Sequence, residues 1–212
     1  MATARMNGRS PEAQAFRADR VIETARQLAT EGGYEAVQMR EVAKRARVAL
    51  ATLYRYYPSK DDLIRAFVDA QVRLLRADVV ARPPQDANPG ARAAAVFIRA
   101  FHAMTRDRGF AQAAMCIYHT PQPLGTQARP IEEGHRASFI DIAAYAAWGS
   151  GHQPTDDEYL ALYLLESLLN SSVISWLNGH MTPDYVERRL WFAAARLLVE
   201  PSGPPGGGRR AD

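Results

Sequence analysis

Apolar residues recur along this chain with helical spacing, and no run alternates with the period of two that a strand needs. Ala18, Val21, Ile22, Ala25, Leu28 and Ala29 share one face of a helix that starts near Glu12, and Gly32-Gly33 ends it. Two short helices follow. The first, roughly 39–46, turns Val42 and Ala43 inward; the second, roughly 49–56, turns Leu53 inward and is closed by Pro58. Tyr57, on the Leu53 face beside that proline, reads as core. Ser59 with Asp62 resembles a capping box, with Asp in place of the usual Glu, and opens a long helix through Leu63, Phe67, Leu74 and Leu75 to about Ala81.

Pro83-Pro84-Gln85-Asp86-Ala87 is the clearest linker, and Asn88-Pro89 after it supplies a cap and a proline at the first helical position. Helices are expected at about 89–106, 109–119, 130–149, 155–178 and 182–199, parted by 121–125, Gly149-Ser150-Gly151 and Asn178-Gly179. Thr155 with Glu158 is a second capping box, and Thr182-Pro183 a second cap with proline. The expected fold class is all-α, an N-terminal three-helix helix-turn-helix unit followed by a larger helical domain. Its boundaries are a disordered arm at 1–11, the helix-turn-helix domain at 12–58, a connecting helix at 59–82, the larger domain at 83–200 and a disordered Pro- and Gly-rich tail at 201–212.

Two short helices around a tight turn place the second of them in a major groove. A net charge of +3 on 212 residues is too small to identify a nucleic-acid binder, so its placement decides. Arg40, Lys44, Arg45, Arg47, Arg55 and Lys60 lie between 36 and 60 against the single acid Glu41, whereas 66–212 balances 14 basic against 15 acidic residues. The positive field sits on the turn motif. Ala49, Leu50, Ala51, Thr52, Tyr54 and Arg55 are the candidates for proximity to base edges and phosphates, with Arg55 suited to a bidentate guanine contact. Tyr54 and Tyr56 hydroxyls suit phosphates, as does Lys60 at a helix start; Gln38 and Arg40 reach the backbone from the preceding helix.

Thr52-Leu53-Tyr54-Arg55-Tyr56-Tyr57-Pro58-Ser59-Lys60-Asp61-Asp62-Leu63, preceded by Val42-Ala43 and Ala46, resembles the signature of TetR-family transcriptional regulators, over about 12–64. More narrowly, Gly32-Gly33-Tyr34-Glu35-Ala36-Val37-Gln38-Met39-Arg40 with 52–60 is similar to the KstR branch, repressors of cholesterol catabolism. Ser175-Trp176-Leu177, Arg189-Leu190 and Arg196-Leu197-Leu198 agree with that branch. The resemblance implies a homodimer that leaves its palindromic operator when a small molecule enters the C-terminal domain, a steroid-derived acyl-CoA in the KstR branch. A drug or a fatty acyl-CoA is the alternative effector. Where the family commonly has Gly, Ser and Gly in the turn, this chain has Arg47, Ala49 and Ala51. Ala in place of the Ser cap weakens that helix start by about 1 kcal/mol, and Arg47 is expected in a strained backbone position. Leu50 and Ala51 bring apolar surface toward the groove, where a thymine methyl is the natural partner.

From Tyr159 onward to Leu177 the chain is apolar on nearly every side of a helix, which must therefore be covered all round. Part of it, with Tyr185, Val186, Leu190, Trp191, Ala194 and Leu197, is expected to meet the same helices of a second subunit. Candidates for lining an effector cavity are Phe97, Phe101, Met104, Met115, Tyr118, Phe139, Tyr145, Trp148, Tyr163 and Trp176, which read equally as ordinary core. His102, Glu166, Asn170 and Ser171 are polar residues among them, and Arg99, Arg106, Arg108, Arg129 and Arg136 are available at a mouth.

An all-α enzyme is the remote alternative, but the motifs are missing: Gly149-Ser150-Gly151 lacks nucleophile-elbow spacing, and there is no phosphate-cradling loop. Cys116, the single cysteine, excludes an internal disulfide, and with His119 offers two metal ligands, short of a closed site. No cofactor is expected. No stretch reaches the length of a membrane span and no secretory segment is recognised, so a cytoplasmic protein without membrane contact is expected.

Overall fold

The computed structural model describes residues 11–119 and 135–198, and within them it contains nine α-helices and no strand. α1 (Pro11–Ala36), α2 (Met39–Arg45), α3 (Leu50–Tyr56) and α4 (Lys60–Ala81) precede the linker; α5 (Pro89–Thr105), α6 (Arg108–His119), α7 (His135–Trp148), α8 (Asp156–Leu177) and α9 (Pro183–Leu197) follow it. The expected arm before Pro11, the separator at 121–125, Arg129, the side chain of Arg136, the first residues of the helix expected from 130, and the tail from 201 lie outside the described residues.

Helix ends fall where the capping chemistry puts them. Ser59 Oγ accepts the Asp62 amide at 3.1 Å while the Asp62 carboxylate accepts the Ser59 amide at 3.1 Å, and Thr155 and Glu158 repeat the exchange. Asn88 Oδ1 accepts from Gly90 and Ala91, and Thr182 Oγ1 from Tyr185, each just ahead of a helix opened by proline. These bonds satisfy amides that a helix start leaves open. Gly33, at φ 66 and ψ −155, breaks the regular part of α1 as its sequence requires, and one further turn carries the chain to Ala36. Arg92 was not singled out by its sequence, yet its guanidinium donates to the Ala146 and Ala147 carbonyls at the end of α7 and to the linker carbonyl of Ala87. A cation there meets the unpaired carbonyls that every helix C-terminus exposes.

Two hydrophobic clusters organise the packing. One joins α1, α2 and α3 through Leu28, Val42 and Leu53 to Leu63 and Phe67 of α4, and it is completed by Phe110, Ala113 and Ile117 of α6. The other gathers the far end of α4, one face of α6, and α5, α7, α8 and α9. Helices α4 and α6 thus serve both clusters. α1 packs most extensively on α6, where Gly109 lets the two backbones approach: a Cβ there would run into the Ala29 carbonyl.

Two expectations are corrected. α8 does have the length and composition of a membrane span, 22 residues with mean hydropathy 1.4 over its most apolar window. It nevertheless packs against α5, α6, α7 and α9 and buries Glu166, Asn170 and Ser172, which makes it the central helix of the bundle. On α9, Val186, Leu190 and Ala194 are fully buried in the chain's own core and cannot face a second copy. Steps of four residues put them on one inward stripe, leaving Tyr185, Trp191, Phe192 and Leu197 outside together with Leu160 and Leu164 of α8.

Candidate nucleic-acid interface

The reading unit is held by three bonds in the turn. Ala46 N donates to the Val42 carbonyl at 2.8 Å, Arg47 N to Lys44 at 3.2 Å, and Val48 N to Ala43 at 3.0 Å. Arg47 takes φ 52, the one non-glycine residue with positive φ among those described, as its departure from a turn glycine anticipates. Ala49 caps α3 without any side-chain hydrogen bond. Leu53 anchors the helix inward, and Tyr57 is half-buried against the same cluster, where burial pushes its hydroxyl pKa up.

With Leu53 inside, the opposite edge of α3 faces out. Tyr54 is 46% and Tyr56 48% exposed, Arg55 lies between them with its guanidinium 5.0 Å over the Tyr56 ring, and Ala49 and Ala51 are exposed. Thr52 is half-buried, and Leu50 is half-buried against the core, offering a groove less apolar surface than its sequence suggests. Gln38 caps α2 and Arg40 stands exposed on its first turn.

The charge is distributed differently from the sequence tally. Arg45 is bound by Glu41 at 2.8 Å and Glu31 at 2.6 Å, and these hydrogen bonds hold it strongly protonated. Lys60 Nζ lies 3.6 Å over the Tyr34 ring and 3.7 Å from the Glu35 carboxylate. Tyr34 in turn donates to Asp61 at 2.7 Å, and that bond, with burial, pushes its pKa up to about 12. Arg40, Lys44 and Arg47 have no ion pair among the described residues and are exposed, so with Arg55 they carry the outward positive field. Lys44, in the last turn of α2, and Arg47, in the turn after it, belong to this field although neither is among the contacts expected from the sequence.

In the larger cluster the aromatic candidates partly converge. Phe97 and Phe139 meet edge to face at 5.3 Å, and Phe101 meets Trp176 at 6.5 Å. Met115 is buried there as well, and Met104, Tyr118, Trp148 and Tyr163 are partly buried against it. Tyr145 stands apart at 40% exposure, lining a small surface cleft of about 160 Å³ with Arg76, Val80 and Asp141, whose carboxyl pKa burial pushes up. His102 points outward to Glu187 at 3.1 Å, Ser171 is exposed, and Glu166 and Asn170 are buried. Arg99 is engaged with Asp78 and the Arg82 carbonyl, Arg108 holds the Leu177 carbonyl, and Arg106 is exposed. Among the described residues no three His, Cys, Asp or Glu side chains gather around a metal site, and burial pushes the Cys116 thiol pKa up.

A basic, tyrosine-bearing second helix carried on a helical body defines a helix-turn-helix transcriptional regulator. Residues 21–67 match the model described as bacterial regulatory proteins, tetR family. The chain is 30% identical over 196 residues to the HTH-type transcriptional repressor KstR of Rhodococcus jostii strain RHA1, covering 92% of this chain and 89% of that protein. It is 30% identical over 188 residues to KstR of Mycobacterium tuberculosis strain H37Rv, covering 89% and 83%. The crystal structure of a TetR transcriptional regulator from Rhodococcus sp. RHA1 is 32% identical, with a TM-score of 0.74 over 90% of this chain and all of that one. This chain belongs to the TetR family of transcriptional regulators, near the KstR repressors, and is not an enzyme. FadR of Bacillus subtilis in complex with stearoyl-CoA shares the fold alone, at 17% identity and a TM-score of 0.57 over 85% of this chain and 97% of that one.

Proposed function

We propose that two copies of this repressor grip a palindromic operator and release it when a small, largely apolar effector enters the helical body. The outward edge of α3, Tyr54, Arg55 and Tyr56 around a buried Leu53, is the observation that carries the DNA half of this reading. Thr52 and Arg55 read base edges, Tyr54 and Tyr56 take phosphates, Gln38, Arg40 and Lys60 grip the backbone, and Ala49, Leu50 and Ala51 permit close approach. Lys44 and Arg47 add phosphate contacts. The DNA-binding domain spans 12–58, the connecting helix 59–82 and the body 83–200. The protein works in the cytoplasm.

The exposed apolar face of α8 and α9 supports pairing of two copies about a two-fold axis, which matches a palindrome. Trp191 at 57% exposure is its most prominent member in bulk. Phe97, Phe101, Met104, Met115, Phe139 and Trp176, with Tyr118, Trp148, Tyr163 and Asn170, form the effector wall, while Tyr145, exposed on its separate surface cleft, stands outside it. Kinship with KstR favours a steroid-derived acyl-CoA; the stearoyl-CoA complex of FadR makes a fatty acyl-CoA the second choice, and a drug the third. Ligand and DNA then oppose each other through one coupling energy.

Fluorescence anisotropy with duplexes from the gene's own upstream region tests this. Arg55→Ala and Tyr54→Ala abolish operator binding with helicity unchanged, whereas Lys60→Ala weakens every sequence alike and lowers the salt slope by about 1. Wild-type protein that ignores all such duplexes at low salt overturns the proposal.

A further inference from the structure

Among the described residues four polar or charged side chains are buried: Thr24, Glu166, Asn170 and Ser172. Three are engaged. Thr24 Oγ1 donates to the Arg20 carbonyl at 2.7 Å, Ser172 Oγ donates to the Leu168 carbonyl at 2.7 Å, and Glu166 interacts within the fold. Asn170 differs, being 6% exposed with no hydrogen-bond partner for Nδ2. A buried donor left open costs as much as a lost hydrogen bond, and leucine, similar in size, avoids that cost. α8 carries leucine at the two positions just before it, Leu168 and Leu169, so forming the helix does not call for an amide.

The position of Asn170 relates it to open space. Glu166, Asn170, Ile174 and Leu177 recur at three- and four-residue steps and share one face of α8. Ile174 and Leu177 line a groove of about 480 Å³ that α1 and α6 close through Gly33, Arg108 and Gln112. Asn170 lies one turn, about 5.4 Å, further along that face into the body. The groove has the size of a site for a small organic molecule. Its walls come from both the DNA-reading end of the molecule and the larger helical cluster, so an occupant touches the joint between them.

We propose that Asn170 Nδ2 is the hydrogen-bond donor for a neutral acceptor oxygen, a ketone or ester carbonyl, on an otherwise apolar molecule that enters through this groove. The enclosure of this point disfavours a carboxylate or phosphate there, since an unpaired charge would lose its hydration. The inference rests on the reading of the body as effector-binding and gives that effector its polar requirement.

Thermal unfolding of the full chain, followed by circular dichroism with 9-fluorenone or its oxygen-free parent fluorene, tests it. In wild type the ketone binds about fivefold to tenfold tighter than the hydrocarbon, seen as the larger rise in midpoint. Asn170→Leu erases that discrimination and, without ligand, melts at least about 2 °C above wild type because the open donor is gone. Equal shifts, or none, with the two compounds in wild type overturn the proposal, as does a ligand-free Asn170→Leu midpoint below that of wild type. Operator binding measured on the same samples is a separate readout. Ketone-selective, Asn170-dependent binding that leaves DNA affinity unchanged keeps this site and overturns the effector reading.

Discussion

Arg47 holds a left-handed backbone conformation that costs an L-residue with a β-carbon about 1 kcal/mol. Arg47→Gly should therefore stabilise the protein by about 0.5–1 kcal/mol in urea unfolding, and an unchanged or lower stability would show that the arginine side chain compensates within the fold. Tyr34 offers a pH signature. Its phenol, bonded to Asp61, has a folded-state pKa of about 12, above the usual value of 10, so the bond's stabilisation is complete below pH 10 and lost as pH rises through 12. The stability gap between wild type and Tyr34→Phe should be flat from pH 7 to 10 and close above it; a gap that closes near pH 8 sinks this account. Glu35 lies 3.7 Å from Lys60, so on the proposed role of Lys60 as a phosphate contact Glu35→Gln should tighten binding to all duplexes alike, read from anisotropy titrations. At this scale the sequence made the outward residues of α3 legible, since Leu53 fixes the rotation of so short a helix. It did not reveal that Arg45 is neutralised by Glu31, because that pair joins α1 to α2 across fourteen positions.

The elements were the most legible part. Capping at Ser59, Asn88, Thr155 and Thr182 depends on residues within three positions of one another, so it can be read along the chain without knowing what packs where. The face of α9 was misread for the opposite reason: Val186, Leu190 and Ala194 are no more apolar than Trp191 and Phe192, and only the position of α5 and α8 decides which stripe is covered. The approach of α1 to α6 at Gly109 belongs here too. Gly109→Ala should cost about 1–3 kcal/mol by forcing the helices apart, and calorimetry showing a wild-type midpoint would mean that the contact yields freely.

At the scale of the whole molecule, Leu160 and Leu164 of α8 with Tyr185, Trp191, Phe192 and Leu197 of α9 are among the large apolar side chains that a single copy leaves exposed. Trp191→Glu should convert a dimer to a monomer in light scattering and weaken operator binding sharply, with helicity retained; a dimer that survives Trp191→Glu together with Leu164→Glu would place the interface elsewhere. Which aromatic residues converge was not legible, because Phe101 and Trp176 lie seventy-five positions apart and meet only once α5 and α8 cross.

Phe110, Ala113 and Ile117 cross over from the far side of the linker to fill the core beneath the reading head. For anyone building chimaeric sensors this moves the cut site. Splicing a foreign head at the proline-rich stretch would remove Phe67 and strip Phe110 of its ring partner 5.4 Å away, so a working hybrid has to carry its own version of α6 along with the segment that touches DNA.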